Sequence, residues 1–174
     1  MKTIKIYLAA LLLIVSFPVL AQTDKATTKK IVENQDFIFV ATTALPMSTQ
    51  EISAILNKLN SPLASGAINL SGSQYDLVVK KDSVVAYLPF FGRSYSPSLD
   101  PDDAGIKFKS KDFTYAKSDR KKGGWTIVIV PKDVKDYQKL TLYVTESGYG
   151  TLNVMNNNRQ PISFNGYIAE PKKK

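Results

Sequence analysis

Two periods of apolar residues divide this chain. From Gly66 to Ala169 apolar side chains recur at every second position, the mark of strands buried on one face. Tyr75, Leu77 and Val79 share a face of one strand. After the tight turn at Lys81-Asp82, Val84, Ala86, Leu88 and Phe90 point one way and Val85, Tyr87 and Phe91 the other. Ile106 and Phe108 alternate with lysines, Phe113 and Tyr115 share a face, and so do Trp125, Ile127 and Ile129. Leu140, Leu142 and Val144, then Leu152 and Val154, then Ile162, Phe164 and Ile168 are the inward sets of a three-strand meander. Upstream, Asp36 to Thr43 reads as a first strand with apolar residues on both faces, and Ala67–Leu70 as a short one.

The second period is helical. Ile52, Ile55, Leu56 and Leu59 fall at i, i+3, i+4 and i+7, and Ser48 with Glu51 forms a capping box. This predicts an amphipathic helix near 48–60, stopped by Asn60-Ser-Pro62. Lys29 to Gln35 is expected to form one or two helical turns with Ile31 and Val32 inward. Short connections force antiparallel neighbours, since parallel strands need long crossovers. The fold class is therefore mainly β (a β-rich α+β domain), an antiparallel meander of about nine strands curled into a barrel or folded into a sandwich. Alternation alone does not choose between these, because both have one inner face.

Residues 1–21 stand outside that pattern. Lys2 and Lys5 precede an apolar run from Ile6 to Phe17, and Pro18-Val-Leu-Ala21 precedes Gln22 with the small residues of a cleavage site. The run is short for a membrane span, which wants about 20 apolar residues. The expectation is a secretion signal at 1–21, a linker and short helix at 22–35, one β-rich domain at 36–169 and a polar tail at 170–174. Export through such a signal places the product in the periplasm or outside the cell. The chain has no cysteine. That removes a lipid-anchored signal, disulfide staples, thiol nucleophiles and zinc–cysteine sites, and it requires a self-sufficient core.

Charge changes the picture little. The formal net charge is +8, and loss of Lys2 and Lys5 would leave +6. Nucleic acid is not an expected partner for an exported chain. The lysines read as a solvated face that blunts sheet edges, with contact to an anionic membrane surface the lesser alternative. Histidine is absent too, so triad chemistry and histidine-ligated metals are excluded. No phosphate-binding glycine loop or dinucleotide fingerprint appears. A hydrolase using paired aspartates remains only as a weaker reading. No enzyme activity, catalytic residue or cofactor is expected. Asp100, Asp102 and Asp103 beside Gly105 offer a calcium alternative, against their ordinary use in turns.

The stretch Tyr87-Leu-Pro-Phe-Phe-Gly-Arg-Ser-Tyr-Ser-Pro97 is the strongest local signal. Tyr87, Phe91 and Tyr95 offer flat area with polar tips, and Arg93 could clamp an anion. The competing reading is a plug, with Phe90 and Phe91 sealing an open end, Gly92 allowing the bend and Arg93 bonding loop carbonyls. The candidate contact residues are Tyr87, Phe90, Phe91, Arg93, Tyr95, Trp125 and Arg159. The ligand they suggest is amphipathic or lipid-like, with its apolar body on Phe90, Phe91 and Trp125 and its anionic head near Arg93 or Arg159. The alternative is an envelope structural or protein-interaction domain with a solid core.

Tyr87–Tyr95, Gly105-Ile-Lys-Phe108, Lys121-Lys-Gly-Gly-Trp125 and Asn158-Arg-Gln-Pro-Ile-Ser-Phe-Asn-Gly166 together resemble an exported bacterial family, domain of unknown function 4251, common in Bacteroidota-type organisms. The resemblance spans Phe37 to Ile168. It implies an exported, compact, β-rich domain, and it implies no activity and no catalytic residue. Ser48–Ser65 departs from the family pattern, where a shorter link is expected, so the capped helix reads as an elaboration.

Overall fold

The computed structural model describes residues 24–47, 66–96 and 105–171. The proposed signal at 1–21, the helix near 48–60 and Asp100, Asp102 and Asp103 lie outside the described residues.

The chain begins with α1 (Lys25–Asn34), a full helix where a linker and one or two turns were expected. Two features extend it. The Asp24 carboxylate accepts from the Ala26 and Thr27 backbone N–H groups at 2.8 and 3.0 Å, satisfying two donors the first turn leaves free. Thr28 is fully buried beside Ile31 and Val32, completing an i, i+3, i+4 stripe that a polar residue hides in the sequence. The helix stops at Gln35, which takes a left-handed conformation (φ 52°). The Gln35 and Asp36 N–H groups then return to Val32 and Ile31 carbonyls.

The remaining elements are strands: β1 (Phe37–Pro46), β2 (Ile68–Asn69), β3 (Asp76–Val79), β4 (Val84–Pro89), β5 (Gly105–Ser110), β6 (Phe113–Asp119), β7 (Trp125–Pro131), β8 (Gln138–Val144), β9 (Tyr149–Asn156) and β10 (Ile162–Ala169). All pairings are antiparallel, in the order β5-β4-β3-β1-β10-β9-β8-β7-β6, with β2 added to β1. The architecture is a nearly closed barrel, which resolves the choice that alternation left open.

How the barrel closes follows from its strand count. Nine alternating strands leave the two edge strands, β5 and β6, running the same way, so they cannot form an antiparallel ladder. They are also consecutive, separated only by Lys111 and Asp112. They act as one long strand broken at that point: the first half pairs with β4, the second with β7. Counting β5 and β6 as one wall position turns nine into eight, the even number that antiparallel closure requires. The break is a seam, and each half-strand keeps one edge without a ladder among the described residues.

Period-two burial holds around the wall. Leu77, Val79, Val84, Ile127, Ile129, Leu140, Leu142, Val144, Leu152, Phe164 and Ile168 each have 0% of their surface exposed. Such values leave no water-sized space between them, so the interior is solid. β1 runs past the expected end at Thr43 because of a bulge between Ala41 and Thr43. The extra residue shifts the phase, so burial passes from Phe37, Phe39 and Ala41 to Ala44 and Pro46. Beside the bulge, Gly150 and Gly166 face each other across β9 and β10. The Phe39 ring lies over both, within 3.1–3.3 Å of where each Cβ would sit, filling the space two absent side chains leave.

Candidate functional site

The aromatic stretch leaves β4 at the end of the barrel away from α1. Phe90 and Phe91 are half-buried against the core. The Phe90 ring curls under Gly92, where an added Cβ would approach it to 2.9 Å. The next residues do not wander. Arg93 N–H donates to Gln160 Oε1 at 3.1 Å, Gln160 N–H donates to Arg93 C=O at 3.0 Å, and Tyr95 N–H donates to Asn158 C=O at 2.8 Å. A bridge between Ser94 and Arg159 completes a short antiparallel clamp on the β9–β10 turn. These bonds hold a loop-borne segment in one conformation and leave its tips in solvent. Tyr95 is 66% exposed, and the Arg93 side chain is exposed with no partner among the described residues.

Arg159 does what was expected of Arg93. Its Nη1 donates to the Gly105 carbonyl at 2.6 Å, and its guanidinium sits 5.2 Å from the Phe90 ring centre. It therefore ties β5, the aromatic bend and the β9–β10 turn together. Tyr87 lies on the outer wall, half-exposed and stacked on Tyr75 with centroids 5.8 Å apart. The Lys107 ammonium is 5.5 Å from the Tyr87 ring centre. Trp125 does not join this group. It starts β7, pairs with Val144 at the other end of the barrel, and is only 7% exposed. There it borders a cavity of about 400 Å³ shared with α1 and Glu146. A single ligand cannot lie on Phe90, Phe91 and Trp125 together, because the filled interior separates them.

The seam carries features that the sequence reading passed over. At its closed end the Asp133 carboxylate accepts from the Ser110 hydroxyl and from the Lys111 and Asp112 N–H groups, the latter two at 2.9 and 3.2 Å. Lys132 N–H returns to the Asp112 carbonyl at 2.8 Å. The Ser110 hydroxyl and the Lys111 N–H hold the Asp133 carboxyl down at about 2. Below this pin β5 and the β7–β8 connection diverge, opening a cavity of about 290 Å³. Ile106, Phe108 and Val134 give it an apolar side; Lys107, Lys135, Arg159 and Asp136 give it a charged one. Gln138 also lines it, 8% exposed, and its Oε1 meets no donor. A signal for Gln138 existed: stepping back two residues from Leu140 puts a polar residue in an inward slot. On the β6 half of the seam, burial pushes the Tyr115 hydroxyl up to about 12, and that hydroxyl has no partner among the described residues.

Chemically this is a set of donors, cations and aromatic faces, with one deep amide. Among the described residues, no three acidic, histidine or cysteine side chains gather as a metal site would need.

The profile of a family described as "Domain of unknown function (DUF4251)" matches residues 20–168. The chain belongs to the DUF4251 family. The barrel is similar to the crystal structure of a DUF4251 family protein from Bacteroides eggerthii DSM 20697, with a TM-score of 0.55 over 84% of this chain and 87% of that one. Identity between the two is 9%, so the likeness concerns the fold alone. No curated protein matches this DUF4251 chain. Among its described residues no helix is long and apolar enough to cross a membrane.

Proposed function

We propose that this DUF4251 domain is an exported, non-enzymatic recognition module. It engages an envelope protein through the barrel end where the aromatic bend is clamped. Export rests on the Lys2–Ala21 signal pattern, and the absence of cysteine argues against a lipid anchor. The non-enzymatic reading rests on the lack of histidine and cysteine in the sequence. The observation that carries the rest is the solid interior beside an ordered, exposed bend. A lipid chain has no room among wall residues of 0% exposure, whereas Arg93 and Tyr95 stand in solvent on a segment held by main-chain bonds. A rigid aromatic and an arginine on fixed backbone are the residue types that anchor protein contacts with little ordering entropy lost.

Two measurements test this. Native mass spectrometry of the exported protein should show the bare mass; a co-purifying lipid would restore the lipid-binding alternative. A photo-crosslinking residue at Tyr95 should give a discrete adduct in the envelope, and the same residue at Tyr149, at the far end, should not. Equal labelling at both positions would count against the bend as the contact.

A further inference from the structure

We infer that the free edge of β6 takes a further strand: an extended acidic segment of a partner protein, hydrogen-bonded along Phe113–Asp119 with its carboxylates towards the groove between β6 and α1. Among the described residues β6 pairs with β7 alone. The Lys132 N–H donates to the Asp112 carbonyl and the Arg120 N–H to the Gly124 carbonyl, so Asp112 and Arg120 turn their main-chain groups towards β7. Direction alternates along a strand, so Thr114, Ala116 and Ser118 face β7 as well. Phe113, Tyr115, Lys117 and Asp119 then turn an N–H and a C=O each to the open side, where no ladder meets them among the described residues. Natural sheet edges are ordinarily blunted by a proline, a bulge or a mid-strand charge. Phe113–Ala116 has none of these: the register against β7 runs unbroken from Phe113 to Asp119, no proline interrupts it, and the first charge is Lys117.

Charge selects what the added strand carries. Lys117 and the turn after β6, with Arg120, Lys121 and Lys122, set four cations against one carboxylate, Asp119. Lys117, Lys121 and Lys122 are exposed and form no ion pair among the described residues. Facing them, α1 presents Lys25 and Lys29, and the two sides enclose the cavity of about 400 Å³. Those α1 lysines are matched, to Glu146 at 2.8 Å and to Glu33 at 3.8 Å, so the excess positive charge belongs to the β6–β7 hairpin. A second copy of this edge would bring the same charge and be repelled, whereas an acidic strand is drawn in. Main-chain bonds then supply the affinity and the lysines the choice of partner. The site lies at the α1 end of the barrel, away from the aromatic bend, so it stands or falls apart from the contact proposed there. Tyr149 is three strands round the wall from it, on β9.

The test is proton–nitrogen NMR of the whole mature chain with a peptide alternating valine and glutamate, long enough to span β6. One comparison probe replaces glutamate by lysine. The other is N-methylated at every residue, which keeps the charges and removes every ladder donor. The expected result is saturable shifts along residues 113–119. Exchange of the Phe113, Tyr115, Lys117 and Asp119 amides should slow about tenfold when about nine-tenths of the protein is bound. The Thr114, Ala116 and Ser118 amides, already held by β7, should change little. Each comparison probe should bind about tenfold more weakly. Lys117→Pro removes an edge-facing N–H without touching the β7 ladder, and should weaken the acidic probe about tenfold with little change in melting temperature. Lys117→Gln, which keeps that N–H, should weaken it less. Absence of saturable shifts at millimolar probe overturns the site, and so does equal binding of the lysine probe. Slowed exchange spread over odd and even residues alike would also overturn it, since an added strand protects one edge only. Protection of the same edge that grows with protein concentration, in the absence of peptide, would overturn the acidic partner in favour of a second copy.

Discussion

Gly150 and Gly166 form a cross-strand pair under one phenylalanine ring, yet alanine should cost much more at one position than at the other. A Cβ on Gly166 would stand 1.9 Å from the Val40 carbonyl oxygen and 2.9 Å from its carbon. Reaching even 3.0 Å needs a backbone displacement of 1.1 Å, the difference between that limit and 1.9 Å. Val40 cannot move alone, because it sits in register with Tyr167 of β10 and Asp76 of β3. Overpacking typically costs about 1–3 kcal/mol, and one disturbed ladder bond adds about 1 kcal/mol. Alanine recovers only about 0.5–1 kcal/mol of chain entropy relative to glycine. The net loss for Gly166→Ala is about 1–3.5 kcal/mol. A Cβ on Gly150 meets only side-chain carbons of Phe39 and Leu142, at 3.2–3.3 Å. Those can yield by a few tenths of an ångström, so Gly150→Ala should fall within about 1 kcal/mol of wild type. Urea unfolding with a shared m-value measures both. The expected melting shift for Gly166→Ala is a drop of roughly 2–14 °C for a domain of this size. Equal stability of the two variants, or a neutral Gly166→Ala, would refute the account of β1 locked between two ladders.

Three further outcomes follow from the same structure. Asp133 has a folded pKa of about 2 against an ordinary 3.8, so its stabilisation is complete above about pH 4 and fades as pH falls through 2. Asp133→Asn should therefore melt below wild type at pH 7, with the gap closing towards pH 2 in an acid series followed by circular dichroism. Arg159→Met loses a charge-assisted bond to Gly105 and the face of Phe90, and should destabilise by about 2 kcal/mol in denaturant titration. Tyr115 is raised from 10.0 to about 12 by burial, so stability present below pH 10 should be lost as pH climbs through 12. In Tyr115→Phe that alkaline loss should shrink, with neutral-pH stability unchanged or slightly higher, as followed by ultraviolet phenolate absorbance and thermal melts.

Period two made the wall legible. Leu140, Leu142, Val144, Leu152, Val154, Ile162, Phe164 and Ile168 all point inward where alternation put them, because one dry face leaves no other register. What escaped had physical reasons. The bulge at Thr42 hid the last turns of β1, since a one-residue insertion erases strict alternation. Thr28 hid the start of α1 by putting a hydroxyl in a buried stripe. In the site, the aromatic stretch was visible by composition. Its clamp to Asn158 and Gln160 was not, because hydrogen bonds between segments 64 or 67 residues apart leave no trace in residue type. Trp125 was grouped with Phe90 and Phe91 by its chemistry alone. The sheet order separates them, and no local pattern carries sheet order.

Barrel versus sandwich turned on parity, a property of the chain taken whole. Each strand-to-strand step from β6 to β10, through β1 and on to β5 reverses direction, so the two ends of the nine-strand path must run alike. Such ends can be joined only by crossing over or by being one strand, and the two residues between Ser110 and Phe113 are too few for a crossover. Closure by a broken strand then follows, and with it a wall gap where β5 has lost contact with β7. The gap cannot be filled by extending either ladder, because Asp133 pins the break at the upper end and Arg159 spans the lower. Gln138 faces that gap for the same reason: it is the first inward residue of β8, at the level where the neighbouring wall is missing. If this reasoning holds, lengthening the link between Lys111 and Asp112 by two glycines should let the halves separate. Amide hydrogens of β5 should then exchange well before those of the barrel as a whole. Equal protection of β5 and the rest of the barrel would mean that the seam is as firmly closed as the wall.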